Sequence, residues 1–187
     1  MPHRLCPWWA GYLLLIPLRR LHQSPAKLLG PHVREGMTVL EPGPGMGFFT
    51  LELARRVGPR GRVVAVDVQD RMLATLRRRA ARQGLSDRIE IRPAAPGHLG
   101  VDDLRGRVDF LPAIFMVHEA PDAAAFFAQA HDALRQGGRM LVAEPKMHVR
   151  AGDFEALLET AARAGFVREG PLSFPGGHAA MMIKMME

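Results

Sequence analysis

A short stretch with three alternating glycines most constrains what this chain can fold into. Residues 37–50 (MTVLEPGPGMGFFT) are an apolar segment that ends in Glu41 and is followed by glycine at every second position. This order predicts a buried strand, a tight turn and a helix N-terminus in close succession. Gly43, Gly45 and Gly47 let the backbone bend sharply and let a ligand approach it closely. The pattern departs from the dinucleotide fingerprint G-x-G-x-x-G, because its third glycine comes one residue early.

Predicted strands and helices alternate along the rest of the chain. Continuous apolar runs predict strands, and apolar residues at helical spacing predict helices. The predicted strands are residues 38–41, 62–67, 89–92, 108–116, 139–143, 166–168 and 179–185, and the predicted helices are residues 48–57, 69–83, 123–134 and 151–164. The last two strands lack an intervening helix, which favours an antiparallel pair. We expect an α/β fold with a doubly wound, seven-stranded, mostly parallel sheet, an antiparallel C-terminal hairpin and helices on both faces.

Three segments that contain proline or glycine give more local expectations. Ser24, Pro25 and Gly30 have the positions of an N-cap, a first helical residue and a helix stop, so they predict a short helix. Pro112 lies inside the fourth predicted strand and has no N–H to donate, which predicts a bulge or an early strand end there. Residues 135–138, which end in two glycines, are expected to connect the fourth helix with the fifth strand.

Composition favours one domain with a substantial core and narrows its partners. The 187 residues are 48% apolar, and the net charge of +6 comes from arginine, since only three of the 25 basic residues are lysines. Arginine groups such as residues 77–79 are short, so solvated helix faces are preferred over a nucleic-acid footprint. Cys6 is the only cysteine, which excludes an internal disulfide and a cysteine-based metal site and fits a reducing cytoplasm.

The N-terminal segment is apolar and aromatic. It contains Trp8, Trp9 and Tyr12, and its apolar run is too short to span a bilayer and lacks a small-residue cleavage site. We expect residues 1–35 to form a cap segment before a folded domain at residues 36–187. The cap is a helix packed on the domain, a lid whose aromatic residues contact the substrate, or, through residues 7–20, an interfacial helix in peripheral contact with a membrane.

Two acidic residues end predicted strands, where ligands bind in doubly wound sheets. Asp67 follows Gly47 by 20 residues, so its carboxylate is placed to accept both hydroxyls of a ribose; the alternative is an N-cap of the next helix. Glu41 is placed to anchor the glycine turn or to bind a cationic ligand group, because a buried carboxylate without a partner is costly.

Four segments together resemble the class I S-adenosylmethionine-dependent methyltransferases. They are VLEPGPGMG at residues 39–47, VDVQ at residues 66–69, FMVHEAPD at residues 115–122 and LRQGGRML at residues 134–141. Each motif is weak by itself, but the four lie in the family's order and on the expected elements. Gln136 stands where the family more commonly has proline. The resemblance implies the cofactor S-adenosyl-L-methionine, with S-adenosyl-L-homocysteine as the product.

The same resemblance implies how the glycine turn and the ends of the first two strands bind the methionine and ribose parts of the cofactor. Gly43, Gly45 and Gly47 would pass under the methionine part, and Glu41 would lie near its ammonium group. Asp67 would bind the ribose.

The resemblance also implies contacts with the adenine and the sulfonium. Val68 and Met72 would pack on the adenine. An acid often follows the third strand in this family, but here the sequence is PAA at residues 93–95, so the backbone at Ala94 would contact the adenine. The backbone at Ile114 would line the sulfonium.

His118 and Glu119 follow the fourth strand and are the predicted catalytic residues. Methyl transfer from a sulfonium is a direct displacement, so positioning supplies much of the rate. A general base is needed only if the acceptor must lose a proton, and the alternative for His118 is a structural hydrogen bond. Residues 144–148 follow the fifth strand and are a weaker candidate set, from which Lys146 is the predicted substrate contact.

Absent motifs narrow the acceptor. No Asn- or Asp-Pro-Pro-aromatic segment ends the fourth strand, no Pro-Cys pair supplies a nucleophile, and no acidic cluster after the fifth strand predicts a metal site. We therefore predict a methyltransferase that acts on a small, apolar molecule without a metal. The alternatives are an RNA methyltransferase that uses the arginine-rich surface and a nucleotide-binding module without catalytic activity.

Overall fold

The computed structural model describes residues 23–185, apart from the side chain of Pro171. Contacts divide this part of the chain into two compact units, residues 23–94 and residues 95–185. The predictions for Trp8, Trp9 and Tyr12, for the cap segment and for membrane contact fall on residues outside the described part, and they stay predictions.

The first unit consists of parallel strands and the helices that connect them. Its elements are helix α1 (Pro25–Leu29), strand β1 (Thr38–Pro42), helix α2 (Thr50–Val57), strand β2 (Arg62–Asp67), helix α3 (Asp70–Arg82) and strand β3 (Ile89–Pro93), with a 3-10 turn at Ser86–Arg88. The strands pair in parallel in the order β3-β2-β1. Val39 of β1 lies opposite Val63 of β2, and such β-branched residues fit the buried pleated surface well.

Helix α3 shows why these connecting segments are helical. Met72, Leu73, Leu76 and Ala80 recur at helical spacing, and all four are buried. The apolar stripe drives the helix to pack, while the arginines occupy its other side.

The second unit contains the remaining strands. Its elements are strand β4 (Val108–Ile114), helix α4 (Ala123–Ala133), strand β5 (Leu134–Pro145), helix α5 (Ala151–Arg163), strand β6 (Phe166–Pro171) and strand β7 (Gly177–Lys184), with 3-10 turns at Asp102–Leu104 and Val117–Glu119. Within this unit the order is β4-β5-β7-β6. Strands β4 and β5 are parallel, whereas β7 is antiparallel to both β5 and β6, as the C-terminal hairpin prediction required.

The seven strands belong to one mixed sheet, which confirms the predicted fold class. Within residues 23–185, no helix combines the length and the apolarity needed to cross a bilayer.

The expectation for Pro112 is wrong. Strand β4 continues through Pro112, which lies opposite Leu141, and ends at Ile114. Pairing with β5 continues on both sides of the proline because one missing donor leaves the neighbouring ladder bonds in place. The irregularity lies earlier, between Val108 and Phe110.

The expected connection at residues 135–138 is a bulge within β5, which begins at Leu134. While β4 advances from Val108 to Phe110, its partner advances from Leu134 to Arg139. Gly137 takes a φ of 68° within this bulge, a conformation that glycine adopts without steric cost.

Helix α1 forms where it was predicted, but its ends differ in detail. Ser24 occupies the N-cap position without a side-chain capping hydrogen bond, and Pro25 is the first helical residue. Gly30 ends the helix in a right-handed conformation, with φ of −52° and ψ of −44°, so it does not provide a left-handed stop.

Lys184 ties the end of β7 to the end of α4 and generates a stability prediction. Its Nζ donates to the carbonyl oxygens of His131, at 2.7 Å, and Leu134, at 2.9 Å. We expect Lys184→Met to lower the free energy of unfolding by about 2 kcal/mol, because two partly buried carbonyls lose a charged donor. Urea denaturation measures the loss. Lys27→Met, at an exposed position of α1, is the control and should change stability by less than about 0.5 kcal/mol; equal effects would contradict the prediction.

Candidate active site

The glycines after β1 form a turn that other residues would adopt only with strain. Gly43, Gly45 and Gly47 have φ values of 65°, 54° and 84°, all in the left-handed region. The turn is closed by hydrogen bonds from Gly43 N–H to the Val66 carbonyl and from Gly47 N–H to the Pro44 carbonyl, both at 2.9 Å. The alternation seen in the sequence is therefore required by the backbone.

Two of these glycines face different surroundings. A Cβ at Gly47 would lie 2.4 Å from Leu76 Cδ1, so glycine lets α3 pack closely against the turn. A Cβ at Gly45 would meet no described atom within 4 Å. The backbone at Gly45 is thus open to a ligand on its outer side.

Asp67 ends β2 and holds the turn in place. Its carboxylate accepts hydrogen bonds from the Gln69 N–H at 2.9 Å and from the Gly45 N–H at 3.3 Å, and the residue is only 8% exposed. Burial raises the pKa of Asp67, while the hydrogen bonds from Gln69 and Gly45 oppose this shift. The N-cap of α3 is Gln69, so the alternative that Asp67 caps this helix is wrong.

Glu41 lies in β1 as a buried carboxyl group without a complete set of partners. It is 4% exposed, and neither its Oε2 nor the Oγ1 of the buried Thr50 has a hydrogen-bond partner among the described residues. Burial raises the pKa of Glu41 to about 8; the nearby Thr50 hydroxyl lowers it in part without reaching hydrogen-bond geometry, and the charge of Asp67 raises it further. A bound cationic group would complete this site.

The geometry supports the predicted adenine contacts less than it supports the predicted roles of Asp67 and Glu41. Val68 is 36% exposed beside Asp67, whereas Met72 is buried. The Ala94 N–H donates to the Asp67 carbonyl at 3.0 Å, so this amide already has a partner. The adenine site stays a prediction.

The second unit brings together His118, in the 3-10 turn after β4, and Glu144, near the end of β5. Glu144 is fully buried, and its Oε1 accepts hydrogen bonds from the N–H groups of Val117, at 2.9 Å, and His118, at 3.3 Å. Its Oε2 lies 2.5 Å from His118 Nδ1. One carboxylate therefore fixes both the backbone of the 3-10 turn and the imidazole ring.

The surroundings of His118 favour its protonated form. The Nε2 lies 3.9 Å from Glu119 Oε1, and the ring centroid lies 5.6 Å from that of His148. Burial alone would lower the pKa of His118, but the hydrogen bond and charge of Glu144, together with the charge of Glu119, outweigh it and raise the pKa.

The backbone between β4 and His118 is strained. Phe115 has a φ of 59°, the only positive value among the described residues other than glycine. Its N–H donates to the Ala143 carbonyl at 2.7 Å, and its ring packs edge-on against Phe174. Such strain persists where the surroundings enforce it, and it is found often at functional sites. Ile114, the predicted sulfonium contact, immediately precedes this residue.

Sequence reasoning missed the bond between His118 and Glu144. The two residues are 26 positions apart, although both follow strands that were predicted to be parallel. Lys146, the predicted substrate contact, is exposed, and its N–H donates to the Gly176 carbonyl at 3.1 Å. Within residues 23–185 no group of three or more His, Cys, Asp or Glu side chains is arranged to hold a metal ion.

Comparisons with known proteins identify the class to which this site belongs. A family model described as a methyltransferase domain matches residues 39–138, which is more than half of the chain. A solved S-adenosylmethionine-dependent methyltransferase from Aquifex aeolicus covers 97% of this chain, and 100% of that chain, with a TM-score of 0.85 and 22% identity, so it shares the fold. The chain belongs to the methyltransferase-domain family, and the predicted resemblance to class I S-adenosylmethionine-dependent enzymes is confirmed.

Two curated relatives extend this comparison over part of their length. The arsenite methyltransferase of Halobacterium salinarum is 33% identical over 109 residues, which are 58% of this chain and 27% of that protein. A ubiquinone/menaquinone biosynthesis C-methyltransferase of a Marinomonas species is 31% identical over 112 residues, which are 60% of this chain and 44% of that protein. The matched segment thus spans less than half the length of each of these two relatives.

The glycine geometry predicts different effects for two neighbouring substitutions. Gly45→Ala should cost about 1–2 kcal/mol of stability from its positive φ and weaken S-adenosylmethionine binding at least about tenfold, because the methyl group enters the open ligand side. Gly47→Ala should destabilise more, since its methyl group meets Leu76 as well. Chemical denaturation and calorimetry measure the two effects.

Gly84→Ala is the matched control for these variants. Gly84 has a φ of +64°, and a Cβ at this position would meet no described atom within 4 Å, but Gly84 follows α3 and lies far from the glycine turn in sequence. We expect a stability loss like that of Gly45→Ala with unchanged cofactor affinity. Unchanged affinity in Gly45→Ala would contradict the assignment of the turn.

Proposed function

We propose that the protein transfers the methyl group of S-adenosyl-L-methionine to a small, apolar acceptor by direct displacement. Glu41 carries this proposal, because its buried Oε2 has no hydrogen-bond partner among the described residues, and a bound cationic group would explain this. S-adenosylmethionine contains an ammonium group and a ribose. Glu41 suits the first and Asp67 the second, and both lie at strand ends in the first unit.

The residues of the chain would prepare this cofactor site in advance. The Gly45 and Gln69 N–H groups hold the Asp67 carboxylate, so its orientation is set before a ribose binds. The closed glycine turn fixes the backbone that faces the methionine part. When bound, the cofactor supplies an electrophilic methyl group on a sulfonium. Fixed positioning of this kind can supply much of the rate of a direct displacement.

The distribution of arginine supports a small acceptor over RNA. Several arginines in each of the two units form ion pairs with carboxylates. These pairs are Arg55 and Arg56 with Glu52, Arg105 with Asp132, Arg135 with Asp109, Arg139 with Glu169, and Arg168 with Glu155. Paired arginines have less charge to offer to phosphates. The relative from Halobacterium salinarum is also named for a small acceptor, arsenite.

Calorimetry tests the cofactor assignment. We expect binding of S-adenosylmethionine and no binding of NAD, and we expect Asp67→Ala to weaken S-adenosylmethionine binding at least about tenfold through loss of the ribose contact. Asp87→Ala, at an exposed position in the same unit, is the control and should bind normally. Equal affinities of Asp67→Ala and the unaltered protein would contradict the assignment. Binding to RNA that weakens steeply with salt would favour the RNA alternative.

Glu41→Gln should stabilise the ligand-free protein at alkaline pH. The pKa of Glu41 rises from 4.5 to about 8 in the folded state, so the folded protein holds this proton more tightly than the unfolded chain. Stability is therefore lost as the pH rises between these values, by on the order of 5 kcal/mol above pH 8. Glutamine removes this loss. Denaturation curves of the two proteins should agree near pH 4 and diverge progressively up to pH 9.

The same substitution should weaken cofactor binding. The ionised Glu41 attracts an ammonium group, so S-adenosylmethionine affinity of the unaltered protein should rise between about pH 6 and pH 8, with proton release. Glu41→Gln should bind more weakly and lack this rise. Calorimetry in buffers with different ionisation enthalpies measures the proton release. Glu35→Gln, an exposed position in the same unit, is the control. The same pH dependence in Glu41→Gln would contradict the role of Glu41.

A further inference from the structure

The carboxylate of Glu144 determines which nitrogen of His118 can act as a base. Glu144 Oε2 bonds to Nδ1, so the neutral ring keeps its proton on Nδ1 and its lone pair on Nε2. Glu144 Oε1 is held by the N–H groups of Val117 and His118, which prevents the carboxylate from rotating away. A buried carboxylate fixes the tautomer and orientation of a catalytic histidine in the same way in hydrolases.

The other nitrogen of His118 is placed to receive a proton. Nε2 lies 3.9 Å from Glu119 Oε1, which is longer than a hydrogen bond, and the His118 side chain is 20% exposed. The two hydrogen bonds from the backbone N–H groups of Val117 and His118 to Glu144 Oε1 are sufficient to fix the 3-10 turn. The further bond to the ring therefore orients the imidazole rather than the backbone. The strained Phe115, three residues earlier, indicates that this arrangement is enforced.

The charges around His118 also restrict the acceptor. Glu119 and Glu144 are both carboxylates and would repel an acceptor that carries a negative charge. An acceptor with a free lone pair and no acidic proton, such as a thioether or a pyridine nitrogen, has no use for a base. A neutral hydroxyl group of the phenol or enol type needs one, and its acidity lies close enough to that of an imidazole for efficient proton transfer.

We infer, given the proposed function, that His118 is the general base for a neutral phenolic or enolic hydroxyl acceptor and that Glu144 is its positioning residue. The acceptor O–H bond breaks as the proton passes to His118 Nε2. The acceptor oxygen attacks the methyl carbon of the sulfonium donor, a C–O bond forms, and the C–S bond breaks with its electron pair left on sulfur. The positive charge of the sulfonium is replaced by that of the imidazolium, which returns its proton to water.

The pH dependence of this step follows from the groups that face His118. Glu144 from β5, Glu119 from the same 3-10 turn and His148 from the segment after β5 surround the ring. Glu144 and Glu119 raise the pKa of His118, so the base form becomes populated only as the pH rises through that raised value. The turnover number should rise with pH. Glu119→Gln should move this rise to lower pH, because it removes one of the charges that raise the pKa of His118.

Nuclear magnetic resonance of the histidine nitrogens tests the geometry without turnover. In the full chain at alkaline pH, neutral His118 should carry its proton on Nδ1, whereas Glu144→Gln should move it to Nε2, because the amide donates to Nδ1. Glu155→Gln, which alters only an exposed ion pair with Arg168, should leave the His118 tautomer unchanged. A proton on Nε2 of neutral His118 in the unaltered protein would overturn the inference even if Glu144→Gln fails to fold.

Methyl transfer to defined probes tests the acceptor class. Substituted phenols should be methylated on oxygen, whereas pyridine and dimethyl sulfide should not be methylated. Glu144→Gln should lower the turnover number for phenols at least about 100-fold without changing S-adenosylmethionine affinity, and Glu155→Gln should have no effect. Cofactor binding without phenol methylation, or an equal loss with both variants, overturns the inference and leaves the proposed function standing. Absence of cofactor binding overturns the proposed function itself.

Discussion

The burial of two carboxylates at the ends of β1 and β2 is the constraint on which the first unit depends. Asp67 is tolerated there because the Gly45 and Gln69 N–H groups donate to it. The bond to Gly45 exists only because the glycines accept left-handed φ values and bring that N–H to the end of β2. Without the glycine turn, Asp67 would lose a partner, and two buried carboxylates would face each other with little compensation.

The burial of Glu41 is only partly compensated within the described part of the first unit. Its Oε2 has no partner among residues 23–185, and the nearby Asp67 adds repulsion, so the pKa rises to about 8. A site that destabilises the ligand-free protein and is relieved by a cation converts folding energy into binding energy. The acidic residue at the end of β1 therefore costs stability in the ligand-free protein, which supports its proposed role in cofactor binding.

Local sequence patterns were sufficient to predict the structure where the backbone conformation itself requires a particular residue type. The spacing of Gly43, Gly45 and Gly47 predicted the turn, and apolar runs such as residues 62–67 predicted the strands, because these requirements act within a few residues. The expectation for Pro112 was wrong because its outcome depends on residues that are distant in sequence. Whether a missing donor interrupts a strand depends on its neighbours in the sheet, and these are fixed by tertiary packing. The bulge at Gly137 likewise reflects the register between two strands.

Two contacts in the second unit could not be predicted from the sequence for a related reason. Glu144 and His118 are 26 residues apart, and Lys184 reaches the carbonyl of His131 across 53 residues. Hydrophobic periodicity predicts which elements exist, but a specific side-chain contact also requires their register and the rotamers of both partners. The order of parallel strands narrowed the choice to residues near the ends of β4 and β5, and the geometry then selected Glu144 from that set.

Glu41 and Glu144 show how one residue type at strand ends serves two purposes. Glu144 has partners on both oxygens, so its charge is already compensated and its effect is to fix another side chain. Glu41 Oε2 has no partner within residues 23–185, so its proposed effect is on the binding of a ligand. Replacing a fully bonded carboxylate removes an orientation, whereas replacing an unpaired one removes a driving force for binding. The number of donors around each carboxylate, and not its burial alone, therefore separates the positioning residue from the binding residue.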